Sequence, residues 1–208
     1  LAIAGTTAGG AGGQTSGLVT VSSDATSISG TQAEILAAYL ANTPATTTPA
    51  TAAHVAGLNG LAVSVSGDDA GNPLTLAEFN AVAAYDTGVI TASIESDTLA
   101  DLINTNSGVT AGHAVALTIS DTAVNTEDMV TLIGKTTGNI TVNGTSATTF
   151  SGTLADAVSV FSATNVVAAG IADAVVNLDA TTTASATDLR TLADSFTGGG
   201  TGDLDIAN

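Results

Sequence analysis

The side chains with the greatest capacity for chemistry in this sequence are its carboxylates. Nineteen Asp and Glu stand against two Lys and Arg, for a net charge of −17. Asp24, Asp68 with Asp69, Asp97, Asp121 and Asp179 each fall just after a short run of β-branched residues, and Asn143 and Asn208 take the same place elsewhere. Asp203 and Asp205 join them in the glycine-rich C-terminal stretch. If those runs are adjacent parallel strands, equivalent positions stack about 4.8 Å apart, and unpaired carboxylates in one column repel one another. Such a column calls for a cation, and Ca²⁺ is the hard ion suited to Asp and Asn oxygens together with backbone carbonyls. The eight aspartates are therefore candidate metal ligands. The same oxygens can instead accept local amides as Asx-turns that end each strand. Both readings stand on the sequence.

Other chemistry finds less support. His54 and His113 read as loop residues with no carboxylate or Cys at ligand spacing. The serines form no G-x-S-x-G elbow. The glycine clusters at Gly9–Gly13 and Gly198–Gly202 lack the Lys-Ser/Thr ending of a phosphate loop. A polysaccharide-cleaving site needs paired carboxylates in a groove beside basic groups, which one Lys and one Arg hardly supply. The expectation is that the chain is no enzyme and requires no cofactor, with Ca²⁺ as the one ion its acids invite. Two cations cannot neutralise a phosphate backbone or an anionic headgroup layer, so nucleic acid and membrane surfaces are excluded as partners. No run approaches the roughly eighteen apolar residues of a spanning helix.

The elements that must hold these residues repeat along the chain. A Ser, Thr or Asn precedes an acid by three positions at Thr31/Glu34, Thr75/Glu78, Thr98/Asp101, Asn125/Asp128, Thr153/Asp156 and Ser185/Asp188, each followed by an apolar stripe. These spacings predict capping boxes that open short amphipathic helices. Between them lie β-branched runs at 18–21, 61–65, 89–94, 115–119, 139–142, 174–178 and 204–206. One strand and one helix per roughly 24 to 30 residues, lengthened by a Thr/Pro-rich insertion over 42–51, predicts an α/β fold: a repetitive solenoid of strand-helix units with short parallel strands over 18–208. The alternative is an all-β sandwich whose Ala-rich segments are loops. Residues 1–17, rich in Gly, Ala and Thr, read as a linker or an assembly strand.

The stretches ALTISDTAVNTEDMVTLIGKTTGNITV, TTFSGTLADAVSVF and ATSISGTQAEILAAY resemble the degenerate repeats of very large acidic surface or secreted proteins of marine cyanobacteria and other Gram-negative bacteria, many exported by type I systems. Gly198–Leu204 is similar to the calcium-binding glycine-rich repeat of RTX proteins, short of the residue between Gly and Asp and present once. The resemblance implies an extracellular structural or adhesive protein. Neither end of the repeat region carries an obvious polar cap. The chain is therefore expected to stack on copies of itself or on flanking repeats of a longer chain, as a filament, fibre or surface layer. A cell-surface adhesin module that binds glycan or another cell is the alternative.

Overall fold

A computed structural model describes residues 18–42, 54–67, 72–85, 87–142, 148–167, 174–179, 185–195 and 203–206. The linker over 1–17, the insertion beyond Asn42, Asp68, Asp69, Asn143, Asn208 and the glycine-rich stretch 198–202 lie outside the described residues.

All six helix starts are capped as the sequence predicts. Helices α1 (Gln32–Asn42), α2 (Leu76–Ala83), α3 (Leu99–Ile103), α4 (Thr126–Ile133), α5 (Leu154–Ser162) and α6 (Ala186–Ser195) follow Thr31, Thr75, Thr98, Asn125, Thr153 and Ser185. At Thr75 the box is complete: the Glu78 amide donates to the Thr75 hydroxyl at 3.2 Å, and the Thr75 amide donates to Glu78 Oε2 at 2.8 Å. Thr31 and Glu34 make the same reciprocal pair, at 2.9 and 3.4 Å. Amides at the third helical position reach Thr98, Thr153 and Ser185, and Asn125 Oδ1 accepts from both Glu127 and Asp128. Each cap satisfies helix-end amides that otherwise go unpaired and sets an acid against the positive end of the helix dipole.

Between the helices run eleven short strands among the described residues: β1 (Leu18–Thr20), β2 (Ser27–Thr31), β3 (His54–Ala56), β4 (Ala62–Ser66), β5 (Ile90–Ser93), β6 (Ala114–Ile119), β7 (Ala123–Asn125), β8 (Ile140–Val142), β9 (Thr149–Gly152), β10 (Val175–Leu178) and β11 (Asp203–Ile206). Every pairing between them is parallel. A five-stranded sheet runs β2-β4-β5-β6-β8, a four-stranded sheet β7-β9-β10-β11, and β1 pairs with β3, so within each sheet the strands keep chain order. The protein is thus mixed α/β with parallel sheets, none closed into a barrel. The all-β alternative is overturned, because the Ala-rich segments are helices and the parallel partners need those helices as crossovers.

Registers align apolar residues in columns. Val124, Phe150, Val176 and Leu204 occupy one column, and Val124, Phe150 and Val176 are buried. Leu117 pairs with Ile140 and Ile119 with Val142, all buried. Buried helix residues (Ile35 and Tyr39 of α1, Phe79 and Val82 of α2, Leu102 of α3, Met129 and Leu132 of α4, Val160 and Phe161 of α5, Leu192 of α6) complete a single core. Small side chains let layers approach: a Cβ on Gly138 would strike the Val115 backbone carbonyl of the neighbouring strand. Leu40, expected on the buried stripe of α1, is 60% exposed.

Four strands, β2, β3, β7 and β9, fall outside the β-branched runs. β2, β7 and β9 lead straight into helix caps, and their sequences SISGT, AVN and TFSG carry a single large apolar residue each. Alternation over so short a span gives no legible period; pairing with the neighbouring unit makes them strands. Phe150 is fully buried and meets Phe161 edge-on at a centroid distance of 5.2 Å. Phe150→Ala is expected to lower the free energy of unfolding by about 3–5 kcal/mol in urea titration; a loss under about 1 kcal/mol would mean that this column does not hold β9 to α5.

Candidate functional site

The aspartates are dispersed through the coil of the chain. Asp24 lies in the exposed turn between β1 and β2, where its amide donates to Ser22 Oγ at 3.3 Å. Asp179 is exposed just past β10, its amide donating to the Gly152 carbonyl at 3.0 Å. Asp203 and Asp205 stand within β11, at the register positions beside Val175 and Asn177. Among the described residues the registers set Asp97 beside Ile119 and Asp205 beside Asn177, so no aspartate of the expected column stands opposite another. Among the described residues no three His, Asp or Glu converge as a metal set.

Among the described residues, Asp97 and Asp121 are the candidates that act together. Asp97 bridges to Ile119, and its Oδ1 accepts the Thr98 amide at 2.8 Å. Asp121 reaches back from the next unit, and its Oδ2 accepts the Leu99 amide at 2.6 Å. Two carboxylates thereby hold successive amides at the start of α3, beside the Thr98 hydroxyl that takes the Asp101 amide. This is the Asx use of the side chains, extended across a unit boundary. A shallow recess of about 190 Å³ lies beside them, lined by Leu76, Asn80, Asp97, Asp101, Asn104, Asn106 and Ser107. Three of its polar side chains are engaged with the chain: Asn80 Oδ1 takes the Gly108 amide at 2.7 Å, Asn104 Oδ1 the Asn106 amide at 2.9 Å, and Asp101 Oδ2 the Thr98 hydroxyl at 2.7 Å. The recess reads as a joint between units.

Of the two histidines expected in loops, His113 lies in one and His54 does not. His54 opens β3. His113 precedes β6 and links three units: its Nδ1 accepts the Ile90 amide at 3.2 Å, its ring meets Phe79 edge-on at 6.3 Å, and its carbonyl accepts the Thr137 amide at 3.0 Å. Thr136, 4% exposed, continues the link. Its hydroxyl donates to the Val115 carbonyl at 2.7 Å and accepts the Val115 and Gly138 amides at 3.0 and 2.9 Å. Spacing to other ligand types could not reveal these roles; the partners lie more than twenty residues away in sequence.

Set against protein-family models, curated proteins and solved structures, the chain matches none. Among the described residues no helix is long and apolar enough to cross a membrane.

Two measurements test this site. Burial pushes the His113 pKa below its ordinary 6.5, and a protonated Nδ1 can no longer accept the Ile90 amide. The unfolded chain then binds the proton more readily than the folded one, so stability is full above pH 6.5 and falls as pH drops below it. The loss in Tm between pH 7 and pH 5 is expected to be smaller in His113→Asn than in the parent chain; equal losses would rule this histidine out. Chelation by EGTA is expected to leave Tm unchanged, since Asp97 and Asp121 already hold amides. A clear fall in Tm would restore calcium to the aspartates.

Proposed function

We propose that the chain is a repetitive solenoid of strand-helix units and a structural building block outside the cell, stacking end to end into a filament, fibre or surface layer. The observation that carries the reading is the ladder itself: strands pair in parallel and in chain order, leaving β2 and β11 each with a partner on one side only among the described residues. An unpaired strand edge is a template for another chain. The extracellular setting rests on the resemblance of the repeat stretches to those of large acidic surface proteins.

The aromatic residues favour a fibre over a glycan-binding adhesin. Tyr39, Phe79, Phe150 and Phe161 are buried, and Tyr85 packs against Tyr39 at 5.2 Å. None of them offers an exposed ring for stacking on sugar. Copies carrying −17 each repel one another, and salt shortens the reach of that repulsion to about 3 Å at 1 M. Sedimentation and negative-stain microscopy are expected to find end-to-end assemblies that lengthen with protein concentration and with ionic strength. Monodisperse monomers over a wide concentration range in high salt would refute the proposal.

A further inference from the structure

The receiving strand of the proposed assembly has a duplicate inside the chain. Thr26–Glu34 reads TSISGTQAE and Thr148–Asp156 reads TTFSGTLAD. The two stretches fold alike: β2 and β9 each run into a Thr cap followed by a helix, with Ile35, Ala38 and Tyr39 buried in α1 where Ala157, Val160 and Phe161 are buried in α5. They also bind the following strand alike. The Ala62 amide of β4 donates to the Thr26 carbonyl at 3.1 Å, and the Val175 amide of β10 donates to the Thr148 carbonyl at 2.9 Å.

They differ on the other side. β9 has β7 as its preceding neighbour, in the register Ala123 to Thr149, Val124 to Phe150 and Asn125 to Ser151, with the Thr149 amide donating to the Thr122 carbonyl at 2.9 Å. No described strand lies against the equivalent edge of β2. Because backbone groups alternate sides along a strand, the bond from Ala62 to Thr26 turns the Ile28 and Gly30 amides toward β4 and the Ser27 and Ser29 amides toward the open edge. The Thr31 amide is already held by Glu34. Ile28 is only half-buried where its counterpart Phe150 is fully buried, so both the amides and the apolar side chain of β2 lack what β7 supplies to β9.

We infer that the open edge of β2 is a strand-acceptor site and that its occupant is β11 of a second copy of this chain. This rests on the end-to-end reading above and specifies its joint. β11 forms the opposite edge of the four-stranded sheet from β7 but at the same register height: Asp203, Leu204 and Asp205 stand in register with Val175, Val176 and Asn177, and these align through β9 with Ala123, Val124 and Asn125. Transferring the β7–β9 register to the joint sets Asp203 beside Ser27, Leu204 beside Ile28 and Asp205 beside Ser29. The apolar column then continues from one copy to the next. Both acids of β11 meet uncharged serines, since β2 carries no charged residue.

Two experiments on the full chain test the joint. Ser29→Pro removes an edge amide and leaves those facing β4 in place; it is expected to abolish concentration-dependent association in sedimentation while the melting temperature holds. A folded variant that still assembles as the parent does would overturn the joint and leave the filament reading standing. Parent chains that never assemble would take down both. Should the proline variant unfold, cysteine pairing decides, because the chain contains no other Cys. Oxidised Ser29→Cys/Asp205→Cys is expected to give a covalent series of dimers and longer multimers, and the out-of-register Ser29→Cys/Leu204→Cys far fewer. Equal yields from the two pairs, or none from the first, would overturn the register.

Discussion

The structure depends on one constraint: among the described residues each strand finds its hydrogen-bond partner in a parallel strand one helix away along the chain. Among the described residues no strand exceeds six residues and no helix exceeds eleven, lengths at which neither element is stable alone in water. Parallel pairing in chain order removes that difficulty by giving each strand a partner and each helix a sheet to pack on. It also fixes where the apolar residues go, since the registers that satisfy the backbone place Val124, Phe150 and Val176 in one buried column.

Within that frame the polar residues act as fasteners between units. Asp121 holds an amide at the start of the preceding unit's helix, Asn80 holds the Gly108 amide, His113 holds the Ile90 amide, and Thr136 binds both the amide and the carbonyl of Val115. Among the described residues no buried side-chain nitrogen or oxygen goes without a partner. The acidity of the chain has the same origin in part: capping acids at the third helical position recur because each short helix needs its own start signal. Two Lys and Arg stand against nineteen Asp and Glu, which makes self-association a contest between backbone pairing and charge repulsion.

The resemblance between β2–α1 and β9–α5 ties the fold to the proposed function. Equivalent sequence produces equivalent strand, cap and helix packing, and even the same bond to the following strand. Among the described residues β9 has a strand on its preceding edge and β2 has none. Half-burial of Ile28 against full burial of Phe150 is the local physical consequence of that difference.

The sequence by itself determined the helix starts, because capping is local chemistry: a hydroxyl or amide oxygen three residues ahead of an acid binds amides within one turn. It determined seven of the strands too, where β-branched runs are long enough to show, and the α/β class that follows from their alternation with helices. Only tertiary structure decided the rest. β2, β7 and β9 are strands because a neighbouring unit supplies their bonds, and nothing within SISGT or TFSG announces it. The described aspartates do not stack as one column, since the strand registers set Asp97 beside Ile119 and Asp205 beside Asn177. Asp121, His113 and Thr136 gained their roles from partners a full unit away, a distance that spacing rules based on local geometry do not span.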